Sequence, residues 1–116
     1  MPVSLNTAIF YLYNKFNGGT RHHFAVLPGT ITNKEKNIVL AHLAHEDCFI
    51  PNQIGLIALN NDNPTSIDSC FEYTWHTLDD IILTEFRPTH AVDIHTFVKD
   101  FIKTKWLPDE PYRGVS

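Results

Sequence analysis

Apolar and polar positions alternate with period two in three stretches of the chain. They recur every three to four residues in two others. Thr7–Asn14 (TAIFYLYN) sets Ala8, Phe10 and Leu12 on one side and Ile9, Tyr11 and Tyr13 on the other. Its aromatic and β-branched content favours a strand. Asn17-Gly18-Gly19 follows, and glycine accepts the positive φ of a turn without steric cost. Arg21–Leu27 (RHHFAVL) returns as a second strand, His22, Phe24 and Val26 alternating with His23, Ala25 and Leu27. The link exceeds a two-residue hairpin loop, so a bulge or a wider turn is expected. Pro28-Gly29 ends the strand. The third alternating stretch is Cys70–Phe86 (CFEYTWHTLDDIILTEF). Phe71, Tyr73 and Trp75 face one way, and Glu72, Thr74 and His76 the other. Asp79-Asp80 interrupts the pattern, and Ile81, Ile82 and Leu83 resume it. This stretch is expected to be the centre of the sheet, broken at the two aspartates, with Phe71, Tyr73, Trp75, Ile82 and Phe86 in the core.

Thr32-Asn33-Lys34-Glu35 is a capping box, so a helix is predicted from Asn33 to about His45. Ile38, Val39, Leu40, Ala41, Leu43 and Ala44 would give it a broad apolar face against the sheet. Cys48–Asn60 (CFIPNQIGLIALN) is too apolar for solvent, while Pro51 and Gly55 deny it a long regular element. A short helical turn over Ile54–Leu59 is compatible with it. Asn60–Thr65 is a turn cluster and the expected exposed loop. After Arg87-Pro88-Thr89-His90, Ile94, Phe97, Val98, Phe101, Ile102 and Trp106 mark an amphipathic helix, with Lys99, Asp100, Lys103 and Lys105 on its wetter side. Pro108 and Pro111 end it. The predicted fold is α+β: a small antiparallel sheet of three to four strands with two helices packed on one face. Residues 1–107 would form one domain and residues 108–116 a coil tail.

Composition supports a globular chain: 43% of residues are hydrophobic and 19% charged. The start of the sequence shows no basic region followed by an apolar run, and no stretch is long and apolar enough for a membrane span. A cytoplasmic protein is therefore expected, with Cys48 and Cys70 as reduced thiols rather than a disulfide framework. The net charge is −4, but its distribution is uneven. No Lys or Arg lies between Lys36 and Arg87, where Glu46, Asp47, Asp62, Asp68, Glu72, Asp79, Asp80 and Glu85 fall. Such asymmetry speaks to partners and encounter rates rather than to fold. Nucleic-acid binders carry a basic stripe, and the middle of this chain has none, so direct contact with nucleic acid is not expected.

Candidate chemistry is sparse. His42, His45 and Cys48 have a spacing that zinc can use, but Cys48 falls past the predicted helix end and no second ligand pair is evident. His76 has Asp79 and Asp80 nearby in sequence, a setting that can tune an imidazole. No serine or cysteine elbow accompanies it, and Cys70 lies too far along an extended strand to touch it. No phosphate-binding glycine loop is present. Asp62, Ser66 and Asp68 lack the glycine and the closing glutamate of a calcium loop. No metal, cofactor or catalytic residue is expected.

The order LPGTIT, CFIPNQIGL, WHTLDDI, VDIHTFVKDF resembles a family of small uncharacterised bacterial proteins that pair an FxPxQxGL connection with a WHxL strand and a closing helix. The resemblance spans roughly Leu27 to Phe101 and implies one compact domain, with no activity attached.

The sequence thus points to a non-enzymatic interaction protein that offers carboxylates to a basic protein surface, for instance on a nucleic-acid-handling complex. The candidate contact residues are Asp79, Asp80, Asp62, Glu46 and Asp47. By size and charge alone it is analogous to phage and mobile-element inhibitors, anti-CRISPR proteins included. Two alternatives stand beside this reading. One is a small enzyme using His42, His45, Cys48 or His76, with or without a metal. The other is a regulatory subunit that dimerises through a sheet edge.

Overall fold

The structure, a computed structural model, describes residues 5–14, 19–44, 47–59 and 75–107. Its elements in chain order are β1 (Asn6–Asn14), β2 (Thr20–Leu27), α1 (Asn33–His42), β3 (Cys48–Phe49), a 3-10 turn (Pro51–Ile54), β4 (His76–Thr84) and α2 (Ile94–Lys103). The strands form one antiparallel sheet in the order β2-β1-β4-β3. The fold is the expected α+β type, with four strands and two helices among the described residues. Among the described residues no helix is long and apolar enough to cross a membrane.

Register decides which side chains meet. Ile9 pairs with Ala25 on one side and Ile81 on the other, and Tyr11 with His23 and Leu78. Their side chains share one face of the sheet, the inner face, because alternate residues of a strand point the same way. Val39 of α1 and Ile94, Phe97, Val98 and Phe101 of α2 join Ile9, Tyr11, Tyr13, Leu27 and Phe49 in one buried cluster. Both helices therefore cover the inner face.

The helix boundaries follow from their caps and from backbone bonds made beyond them. Thr32 and Glu35 close the capping box: Thr32 Oγ1 accepts from Glu35 N–H at 3.1 Å, and Glu35 Oε1 accepts from Thr32 N–H at 3.0 Å. The helix runs only to His42, with Leu43 extended, and Ala44 N–H donates to the Cys48 carbonyl at 2.8 Å. That backbone bond draws the chain into β3 in place of a further helical turn. The broad apolar face expected for α1 is also narrower than predicted: Val39 is its one buried residue, and Ile38 and Leu40 are exposed. In α2, Asp93 caps the N-terminus by accepting from the His95 and Thr96 amides. Ile94, Phe97, Val98 and Phe101 form its buried stripe, as the spacing predicts, while Ile102, expected with them, is exposed. Trp106 lies beyond the helix, packed partly buried against the core.

The described part of the connection after β3, residues 50–59, is tied to the sheet by polar contacts of Tyr11 and His76. Tyr11 Oη donates to the Ile57 carbonyl at 2.6 Å. His76 Nε2 accepts from the Leu59 amide at 2.9 Å. The helical turn in this segment covers Pro51–Ile54 rather than Ile54–Leu59, and Gly55 ends it at φ 82°. Proline favours the first turn of such a helix and glycine its left-handed end.

After β4 the chain passes over the other, outer face of the sheet to the free side of β2. Asn6 Nδ2 donates to the Phe86 carbonyl at 2.8 Å, and the Phe86 ring lies 6.1 Å from Phe24. Thr89 N–H then donates to the Val26 carbonyl at 2.8 Å, and Val26 N–H to Thr89 Oγ1 at 2.9 Å. The chain regains the inner side where Ile94 N–H meets the Pro28 carbonyl at 2.8 Å. This crossing shields Ala8 and Val26, both fully buried.

Candidate functional site

The expected break at Asp79-Asp80 does not occur: β4 runs through both residues. The register against β1 jumps there: Tyr11 pairs with Leu78, and Phe10 with Asp80. Asp79 is the extra residue of a β-bulge. The physical reason is charge. Strict alternation would turn one of two adjacent carboxylates into the core, where an unpaired charge is costly. The bulge lets both face water: Asp79 and Asp80 are exposed, while Leu78 before them and Ile81 after them are buried.

The bulge also resets the phase of everything after it. Asp80, Ile82 and Thr84 lie opposite Phe10, Ala8 and Asn6 and so share the outer face with them. On that face Phe24, Phe10 and Asp80 form one row across three strands. The Phe10 and Phe24 rings stack at 5.2 Å. Ile82 and Phe86, expected in the core, are exposed on this side, Phe86 at 60%. Trp75 is half-buried, and Phe71 and Tyr73 lie outside the described residues. His76, expected on the face away from the core, is instead buried, with its ring 4.9 Å from that of Tyr13.

Of the candidate contact residues, Asp79 and Asp80 stand together on the bulge. Asp47 is exposed, with a left-handed φ of 60°, directly before Cys48, which pairs with Thr77 two residues from Asp79. Glu46 and Asp62 lie outside the described residues. Glu85, one residue past β4, is also exposed. The segment from residue 37 to 86 borrows a counter-charge from α1: Lys36 Nζ approaches Asp80 Oδ1 at 3.8 Å.

The histidine and cysteine candidates have structural partners. His42 Nε2 bonds the Thr104 carbonyl at 2.9 Å, and the His42 carbonyl accepts from Trp106 Nε1 at 3.3 Å. Cys48 is buried, with Sγ 3.8 Å from Thr77 Oγ1. His45 and Cys70 lie outside the described residues. Among the described residues no group of three or more His, Cys, Asp or Glu side chains is placed to hold a metal ion.

Among the described residues, proton affinities are displaced at four groups: His23, Glu35, His95 and Tyr11, the last pushed up by burial. Burial, and only secondarily the nearby His90, pushes the His23 imidazole down. His95 is pushed up by its 2.7 Å hydrogen bond to Glu35, and the same bond holds Glu35 below the usual carboxylate range. This pair ties the first turn of α1 to that of α2.

The outer aromatic row is a candidate surface absent from the sequence-based expectations. Its signal was present: apolar residues on both phases of Thr7–Asn14 mean a strand covered, or meant to be covered, on both faces. Comparison with family models, with curated proteins and with solved structures gave no match.

Proposed function

We propose that this chain is a non-enzymatic interaction protein that docks a basic protein partner on the outer face of its sheet. The observation that carries the reading is the row of Phe24, Phe10 and Asp80, extended by Phe86, on the face that neither α1 nor α2 covers among the described residues. Stacked rings beside a carboxylate suit an arginine side chain, whose planar guanidinium stacks on aromatics and pairs with carboxylates. Asp79, Asp47 and Glu85 add the same sign around that row. A partner that is both basic and able to cover aromatic rings fits better than a purely electrostatic one. Proteins of nucleic-acid-handling complexes have such surfaces, and inhibition of such a complex is the role we propose.

The test is capture by the tagged full chain from host extract treated with nuclease, read across a salt series. Wild type, Phe24→Ser and the Asp79→Lys/Asp80→Lys double variant are compared. The expected result is a basic protein whose capture weakens with salt, is lost with Phe24→Ser and is lost with the charge reversal. A partner retained by both variants with unchanged salt dependence overturns the reading.

A further inference from the structure

Strand β4 is an edge strand over most of its length among the described residues, because β3 pairs only with His76 and Thr77. Which backbone groups that edge offers follows from the alternation of the antiparallel ladder. Val26 gives its N–H to Thr89 Oγ1 and its carbonyl to Thr89 N–H, so both groups point away from β1. Val26 and Ala8 are therefore a non-hydrogen-bonded pair, and Ala8 directs its own groups to Ile82 on the other side. One step along, Ile81 opposite Ile9 and Leu83 opposite Thr7 must turn their amides and carbonyls outward, to the open edge.

Those two residues make the edge self-complementary. A two-fold axis through Ile82 would set Ile81 of one chain against Leu83 of another, and Leu83 against Ile81. That is an antiparallel continuation of the sheet across a symmetric dimer. Exposed Ile82 and Leu83 side chains would add apolar contact.

The Ile81 amide, however, is already taken. Asp80 Oδ1 accepts from it at 2.8 Å. The same oxygen lies 3.8 Å from Lys36 Nζ, which reaches the edge from α1. Next to it the extra residue Asp79 breaks the repeat that an added strand would have to follow. We infer that Asp79, Asp80 and Lys36 form an edge guard that keeps β4 from pairing with β4 of a second copy of this chain. Self-pairing would have to strip a charge-assisted bond from Ile81 and bring two bulged, acidic strands together across the axis. The guard acts within one molecule; because Asp80 also ends the row proposed to meet a partner, self-association is read on the chain alone.

The experiment uses purified full-length protein without a partner, with molar mass by light scattering over a concentration series. Wild type and Asp80→Asn, which keeps the side-chain carbonyl acceptor, are expected to remain monomeric. Asp80→Val frees the amide and is expected to double its mass as concentration rises. Adding Leu83→Lys to Asp80→Val is expected to restore the monomer, since an edge lysine opposes strand addition. Amide hydrogen exchange on the wild type needs no variant: Ile81 is expected to exchange about tenfold more slowly than Leu83 on the same edge. A monomeric Asp80→Val at every concentration overturns the inference. So does association that survives Leu83→Lys, a wild-type dimer that Leu83→Lys dissociates, or an Ile81 amide that exchanges as fast as that of Leu83.

Discussion

His76 shows how one buried side chain can hold a connection. Its Nε2 accepts the Leu59 amide, so the imidazole is neutral at that nitrogen. Replacing it with phenylalanine keeps the ring among Tyr11 and Tyr13 but leaves a buried amide without its acceptor. We expect His76→Phe to lower unfolding free energy by about 1–3 kcal/mol in urea titrations. Tyr11→Phe, which removes only the hydroxyl bonded to Ile57, should cost about 1 kcal/mol. The Glu35–His95 bond makes a pH prediction at the same scale. His95 is raised when folded, so its contribution is full below its unfolded value and is lost as pH rises through the folded one. Glu35 is depressed, so its contribution is present above its unfolded value and is lost as pH falls through the folded one. Stability gained from the pair should therefore peak between the ordinary carboxylate and imidazole ranges, roughly pH 4.5–6.5. Asp93 raises His95 further and Lys99 opposes it, both from α2 itself. His95→Gln should flatten the melting temperature across that window. An unchanged pH profile would show that the pair does not contribute.

At the level of elements, the sequence displayed most of what the fold became. The capping box at Thr32, the stripe from Ile94 to Phe101 and the alternation of Thr7–Asn14 are local signals, because one turn or one strand contains all the residues that make them. The errors fall where a distant residue decides. The end of α1 depends on Cys48, which offers its carbonyl to Ala44. The two-residue β3 exists only because His76 and Thr77 lie alongside it. The bulge at Asp79 was half legible: Leu78 and Ile81, three apart in a strand and both apolar, already require a phase shift. Reading the aspartates as a break instead placed Ile82 and Phe86 in the core, since the phase after the interruption was assigned wrongly. Two glycines separate local strain from packing in the same way. Gly29 has φ 100°, and a Cβ there would meet Ile94 Cγ2 at 3.0 Å; Gly55 has φ 82°, with nothing within 4 Å. Gly55→Ala should cost about 1–2 kcal/mol, the left-handed backbone penalty alone. Gly29→Ala should cost more, since α2 must also shift against the Pro28–Gly29 turn. Equal losses in thermal melts would mean that Ile94 yields freely.

At the scale of the molecule, the two faces of the sheet make different demands on their aromatic residues, and this separates folding from binding. Phe101 is buried on the inner face against Phe49, Phe97 and Trp106. Truncating such a side chain removes its burial and leaves a cavity, so Phe101→Ala should cost about 3–5 kcal/mol. Phe24 and Phe86 on the outer face are already 38% and 60% exposed. Phe86 has little burial to lose, Phe24 keeps part of its own against Phe10, and each ring contact is worth about 0.5–1.5 kcal/mol. A Phe24→Ser/Phe86→Ser variant should therefore unfold within about 2 kcal/mol of wild type in denaturant titration. If the outer face is the docking surface, that variant stays folded and loses its partner, whereas a core variant of equal binding loss is much less stable. If the double substitution instead destabilises the chain as much as Phe101→Ala, the outer rings are a second core, and the docking reading loses its main support. The comparison turns on burial: a ring the fold leaves in water adds little to stability, so a large loss of binding without loss of stability identifies what that exposure serves.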